Sequence, residues 1–464
     1  MQGSESAMGN QVSWKERISY GLGDTASNIV FQMITMYLMY FYTDVYGLQV
    51  AAVGTLFLVA RIIDAFDSPI IGMLIDRTNT RWGKSRPYFL WLAAPFAIVA
   101  VLTFLTPDFS DTGKLAYAYV TYIALGILYA AINLPLTSLL TSMTRNSQER
   151  TVVNSVRMIL GQLGGLIVSV AALPLVAVFG KGDQQQGFFW TMVLFASIAV
   201  VFFLTTFANT RERVTYTGGK KTVTFKESVR ALKGNRPWFL LLLINVSFWV
   251  AFTSKSQSTV FFLKYNLGRE DLVPLINGLN VVMLLGIALM PMIAGRIGKR
   301  ATSLIGMSIG AGSLLLAYAG AEWGSVALLV GAVIIGNIGI GLPVGLMYAM
   351  LADTVDYGEW KSGVRAQGLL TASSSFGVKF GMGIGGALAA WILARGHYVP
   401  GAEQAASGLG AIQFNFIWTP FICFTICVLL YLFYNIDPIE KQMHRELEAR
   451  REQAEVEHAG HTPG

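Results

Sequence analysis

Residues 52–76 read AVGTLFLVARIIDAFDSPIIGMLID, 25 residues in one apolar run with three charges set inside it and a fourth, Asp76, at its end. A helix rises about 1.5 Å per residue and the hydrocarbon core of a bilayer is about 30 Å thick, so roughly 20 mostly apolar residues span it. The run therefore predicts a transmembrane helix. Arg61, Asp64 and Asp67 recur every third residue, which puts them on one face. Charge at membrane depth is costly, so it turns to a bundle interior and marks a solute or ion path. Asp24, Arg157, Lys255 and Lys379 fall inside apolar runs in the same way. A membrane transporter is the class this pattern favours.

Eleven more runs flank the first: 18–44, 87–107, 115–142, 155–180, 187–208, 237–263, 272–295, 301–320, 324–353, 366–394 and 409–435. Of the 464 residues, 54% are hydrophobic and 13% charged, against about 25% charged in a soluble globule. The expected fold is an all-α membrane protein with twelve transmembrane helices. A strand barrel would show alternating segments of about ten residues, and these runs are too long and continuous for that. The 48 glycines suit close helix–helix approach in lipid. The first ten residues, MQGSESAMGN, lack the basic region and short apolar core of a secretory signal. The first span is expected to direct insertion.

Lysine and arginine sort by side. The loops and tails on the side of the termini hold 25, and the opposite side holds only Lys114, Lys181, Lys264, Arg269 and Arg395. The positive-inside rule then places both termini in the cytoplasm of a cell whose inner membrane the chain crosses many times. This asymmetry accounts for the net charge of +7 without a nucleic-acid partner. Cys423 and Cys427 lie one turn apart in the last span and read as small packing residues. None of the four histidines lies in a span, so no haem or zinc site is expected, and no cofactor.

The longest polar interruption, TRERVTYTGGKKTVTFKESVRALKGNRP, leaves six spans on each side. The expected organisation is a six-helix bundle (1–208), a cytoplasmic linker (209–236), a second six-helix bundle (237–435) and a cytoplasmic tail (436–464). GMLIDRTNTRWGKSRP in loop 2–3 is weakly echoed by GRIGKR in loop 8–9. Repeats related by an axis along the membrane normal build such transporters.

Two carboxylates on one helix face can ligate Na⁺ or share a proton, so Asp64 and Asp67 are read as the coupling-ion residues, with Ser68 as a further oxygen and Arg61 as their orienting partner. The alternative is an ion pair that only locks the bundle. Asp24 and Asn28 lie one turn apart in the first span. Tyr129, Asn133 and Thr137 form a stripe in the fourth. Arg157 comes from the fifth, Lys255 from the polar stretch FTSKSQSTVF of the seventh, and Ser374, Ser375 and Lys379 from the eleventh. Amides, hydroxyls and aromatic faces on separate helices suit a polyhydroxylated ligand. Each could equally be a helix–helix hydrogen bond. Asp76, Arg77 and Lys84 in the basic loop, with Asp356, Glu359 and Arg365 near the tenth span, are read as gating residues on the cytoplasmic side.

YGLGD (20–24), YLMYFYTDVYGL (37–48), GTLFLVARIIDAFDSPIIG (54–72), RWGKSRP (81–87), INLP (132–135), DTVDYGEWKSGVR (353–365) and GVKFGMGIGGAL (377–388) resemble, in order, the motifs of the glycoside–pentoside–hexuronide:cation symporter family. The resemblance covers nearly the whole chain. It implies a major facilitator fold, alternating access, and sugar uptake driven by Na⁺, Li⁺ or H⁺. Asp64 matches a cation-site aspartate, and Arg61, Tyr129, Arg157 and Lys379 match positions lining the family's site. There are departures. Asp67 and Ser68 stand where the family's melibiose carriers have Asn and Asp. Ala130 replaces a threonine of that cation site. Asn28 and Asn133 replace two sugar-holding aspartates, and Thr137 and Val344 replace two tryptophans. The asparagines look more like those of the glucuronide and xyloside carriers. The resulting expectation is a monomeric, H⁺- or Na⁺-coupled importer of a glycoside, pentoside or hexuronide, leaning to an anionic sugar such as a glucuronide. The rivals are a lipid or drug carrier of the same fold, and a membrane enzyme or sensor, for which no nucleophile–base pair or metal cluster speaks.

Overall fold

The structure is a computed structural model. It describes residues 12–214 apart from 79 and 145, 234–363, and 367–450 apart from 441 and 444; the side chains of 65–69, 72, 73, 76, 147, 367–369, 371 and 372 lie outside the described set. Long apolar segments must satisfy their backbone internally in lipid, and the described residues are almost wholly helical. In chain order the segments are α1 (Trp14–Tyr40), α2 (Val50–Arg77), α3 (Arg86–Thr103), α4 (Asp111–Met143), α5 (Ser147–Gly180), α6 (Gln184–Asn209), α7 (Arg236–Phe261), α8 (Glu270–Ile297), α9 (Lys299–Glu322), α10 (Val326–Ser362), α11 (Gln367–Arg395) and α12 (Ala406–Leu432). Among the described residues, ten are long and apolar enough to cross a membrane. The other two, α1 and α2, carry the mid-helix polar and charged residues singled out above. Short π-turns continue α1 (Phe41–Val45) and α7 (Phe262–Asn266), and another interrupts α12 (Phe414–Trp418).

Side-chain caps fix several starts. Ser13, Asn146, Asp183 and Ser325 each accept a backbone N–H from the first turn that follows. Prolines inside helices, such as Pro135 in α4 and Pro343 in α10, are tolerated because neighbouring groups re-satisfy the backbone.

The chain forms two compact units. The first holds residues 1–218, 253–281 and 383–416; the second holds 219–252, 282–382 and 417–464. The division does not fall at the linker alone, because α7, α8, α11 and α12 each contribute to both. Within the second unit, α9 packs on α10 through glycine: a Cβ on Gly306 would stand 2.5 Å from the Gly339 carbonyl oxygen.

At the N-terminal end of the first unit, carboxylates clamp the loops. Glu212 accepts the backbone N–H groups of Lys84, Ser85 and Arg86 at 2.8–3.0 Å. Buried Glu16 takes both Arg213 guanidinium nitrogens at 2.8 and 2.9 Å. Glu149 receives Val12 N–H, the Thr144 hydroxyl and Arg17. The second unit repeats the device. Asp437 accepts Arg300 N–H at 2.8 Å, and Lys299 bridges Asp353 and Glu440. In each case a glycine with positive φ, Gly83 (107°) or Gly298 (86°), lies against the carboxylate. A side chain there would be strained and would collide with it. The sequence echo between these two loops is thus a structural one.

Candidate functional site

The three-residue spacing on α2 does what helix geometry requires: Arg61 Nη1 donates to Asp64 Oδ2 at 2.9 Å. Asp64 is only 7% exposed. Two glycines seat the pair. A Cβ on Gly126 of α4 would stand 2.7 Å from Asp64 Oδ1, and one on Gly383 of α11 would stand 2.7 Å from the Arg61 stem. The guanidinium also lies within electrostatic reach of Tyr122 on α4. One turn before Arg61, Phe57 meets the Tyr122 ring edge-on at 5.4 Å. The side chains of Asp67 and Ser68 lie outside the described residues, as do Arg365 and the side chain of Asp76.

A second acid and a second base lie near the first pair, since both act electrostatically on the same Tyr129 as Arg61. Asp24 on α1 lies within electrostatic reach of Arg157 on α5, which also acts on the Tyr20 phenol, whose hydroxyl donates to Leu136 O at 2.9 Å. Gly161, one turn after Arg157, leaves the space that the Asp24 carboxylate and the Asn28 amide occupy. Tyr129 on α4 feels Asp24, Arg61 and Arg157 together, and its ring stacks on Phe31 at 5.5 Å. The amide nitrogens of Asn28 and Asn133 are spent on their own helices, on Asp24 O and Tyr129 O, both at 2.9 Å. Thr137 likewise donates to Asn133 O at 3.0 Å. Among the described residues the two amide oxygens accept nothing, which leaves them open to a hydroxyl donor.

The polar stretch of α7 adds unspent oxygens. Thr253, Ser256, Gln257 and Ser258 are buried, and their hydroxyl or amide oxygens have no partner among the described residues. Such groups call for a ligand or water. Gln257 lies against Gly386 beside Phe57, and Lys255 is partly buried on the same helix. Ser374, Ser375 and Lys379 belong to the second unit, where Asn245 on α7 donates to the Ser374 hydroxyl at 3.0 Å. Lys84 and Arg77 are exposed, and Asp356 and Glu359 are partly buried.

Tyr122, Phe57 and Gln257 escaped the sequence reading. Tyr122 precedes Tyr129 by seven residues, two turns along the same stripe. Extending that stripe would have found it.

The description "MFS/sugar transport protein" matches residues 19–438. The chain belongs to this family. It is a multi-pass membrane transporter of the sugar-transporting, glycoside–pentoside–hexuronide type within the major facilitator superfamily, and not an enzyme. An isoprimeverose transporter of Lactiplantibacillus pentosus is 48% identical over 96% of this chain and 93% of its own. A glucuronide carrier protein homolog of Escherichia coli (strain K12) is 34% identical over 96% and 97%. The inner membrane symporter YicJ of the same organism is 33% identical over 90% and 91%. Among solved structures, a bacterial homologue of the human lysosomal transporter spinster, inward-facing and unoccupied, has a TM-score of 0.67 at 15% identity, covering 90% of this chain and 95% of that one. The nucleoside transporter NupG has 0.63 at 12%, covering 91% and 100%. At such identities the likeness is one of fold.

Proposed function

We propose that the chain imports a neutral glycoside together with a monovalent cation, H⁺ or Na⁺, by alternating access of the two six-helix bundles expected at 1–208 and 237–435, with both termini cytoplasmic. The observation that carries this reading is the buried Arg61–Asp64 ion pair, with Asp24 and Arg157 in mutual electrostatic reach and Tyr129 within reach of Asp24, Arg61 and Arg157. Asp64, with Asp67 and Ser68 assigned from sequence, holds the cation, and Arg61 orients it. Asp24, Asn28, Tyr129, Asn133 and Thr137 hold sugar hydroxyls, with the Tyr129 ring as a stacking face. Cation occupancy alters the field at Tyr129 and so favours sugar binding, and the coupling is reciprocal. Ser374, Ser375 and Lys379 remain assigned from sequence, as do the gating residues Asp76, Arg77, Lys84, Asp356, Glu359 and Arg365.

A neutral sugar is favoured because Arg61 is already paired with Asp64, and Arg157 has Asp24 within electrostatic reach. The isoprimeverose-transporting relative supports the same class. One observation favours the anionic alternative. Lys255 meets no acid among the described residues, and a hexuronide carboxylate would supply one.

Uptake of labelled isoprimeverose and of a labelled glucuronide into proteoliposomes, under an imposed Na⁺ or proton gradient, tests the reading. Isoprimeverose accumulates above equilibrium and the glucuronide does not. Accumulation of the glucuronide alone reverses the substrate assignment. Accumulation of neither, with uptake of an apolar drug or lipid, replaces the reading with the rival carrier.

A further inference from the structure

Helices α1 and α7 end alike. Residues 41–48, FYTDVYGL, and 262–269, FLKYNLGR, share only a phenylalanine and, six residues on, a glycine. Their backbones nevertheless match bond for bond. Tyr46 N–H reaches Phe41 O, and Leu267 N–H reaches Phe262 O, the five-residue step of a π-turn. Leu48 N–H then reaches Tyr42 O, and Arg269 N–H reaches Leu263 O, both at 2.8 Å. Gly47 and Gly268 close the two turns with φ of 78° and 63°.

Both turns lie in the first unit, at the end opposite the N-terminus, and they bind each other. Equivalent residues face one another, as at a twofold axis. Tyr40 meets Phe261 edge-on at 5.7 Å, and Asp44 accepts the Tyr265 hydroxyl at 2.5 Å. Around this axis the chemistry is asymmetric. Lys264 donates to the Tyr40 hydroxyl at 2.7 Å, which itself donates to Gln184. Tyr398, from the loop after α11, donates to the same Asp44 oxygen at 2.7 Å, while Thr43 caps the other. Burial, and then the Asp44 charge, push the Tyr398 phenol far above its ordinary pKa, so it stays a donor. One carboxylate thus collects three hydroxyls from three chain segments. Gln257, two turns inward from Lys264 on α7, is buried beneath them.

We propose that Asp44 is a transport residue: the paired π-turns, with Tyr398, form a latch that closes this end of the pathway and opens when Asp44 gives up Tyr265 and Tyr398. The proposal rests on the transport reading for its consequence, and places the latch on the outer face. It is built from hydroxyl–carboxylate bonds, which are individually modest. The two that cross the latch, from Tyr265 and Tyr398, can break together without separating a buried ion pair.

The test uses the full chain with Cys423 and Cys427 changed to serine and a single reporter, Gln257→Cys. In right-side-out vesicles, a membrane-impermeant maleimide should label this reporter slowly. Asp44→Asn, and separately Tyr265→Phe with Tyr398→Phe, should each speed labelling several-fold from that side and slow sugar counterflow. The tyrosine changes remove only hydroxyls, so they keep the test valid where Asp44→Asn folds poorly. Labelling that is unchanged in the double phenylalanine variant, with the reporter fully reactive after denaturation, overturns the latch. Because labelling needs neither sugar nor cation, it stands or falls apart from the substrate and coupling assignments.

Discussion

The two ends of the first unit are tied by different chemistry. At the N-terminal end, full charges are clamped: Glu16 by Arg213, Glu149 by Arg17, and Glu212 by three backbone N–H groups. Every partner in these clamps comes from the first 214 residues. At the opposite end, neutral phenols and one carboxylate join Asp44 to Tyr265 and Tyr398, which lie more than 200 residues away. A clamp within one half can persist through a transport cycle. A tie between segments from both halves must break once per cycle if the halves rock. Breaking a buried ion pair costs about 3–5 kcal/mol, whereas a hydroxyl bond to a charged group is worth about 1.5–3 kcal/mol. On the proposed rocking of the bundles expected at 1–208 and 237–435, the softer chemistry sits where the chain must part.

Breaking the clamp should have the largest effect on stability. Among the described residues, Arg213→Ala leaves buried Glu16 with the Arg211 backbone N–H, at 3.0 Å, as the one remaining donor to its carboxylate. Because Arg213 is partly exposed, the loss should be about 2–3 kcal/mol, below the range for a fully buried pair, read as a fall in thermal midpoint in detergent. The Gln257→Cys reporter should stay as shielded as before. Faster labelling from the latch side in that variant would erase the distinction between the ends. Thr43→Val should do the reverse on a smaller scale. It removes one hydroxyl from Asp44 Oδ2, costs about 1.5 kcal/mol, the low end for a bond to a charged group because the same hydroxyl also reaches Met39 O, and should quicken reporter labelling by less than the double phenylalanine change.

The sequence was legible where a single helix decided the outcome. Lipid forces the apolar runs into helices, and the three-residue spacing brought Arg61 onto Asp64 as expected. The Asp24–Asn28 and Tyr129–Asn133–Thr137 stripes also hold together in the fold, through their own backbones. What stayed hidden depends on packing between segments. Tyr122 comes within reach of Arg61 on a helix whose Gly126 makes room for the Asp64 carboxylate. Glu212 sat in a stretch read merely as a linker, yet it organises the basic loop. The paired π-turns were the hardest to see, since two shared residues in eight are no visible repeat, and the similarity resides in backbone bonds and two left-handed glycines. The expected gating residues were all sought on the cytoplasmic side, where charge is abundant. The opposite end offered tyrosines, whose gating role has no charge signature.

The central claim is that the Asp64 carboxylate, held by Arg61, couples an ion gradient to sugar movement. Proteoliposomes with Asp64→Asn, loaded to run under an imposed Na⁺ or proton gradient, test it directly. Sugar should still equilibrate downhill while accumulation above equilibrium disappears. Accumulation equal to that of the unchanged protein, at equal protein content, would contradict it.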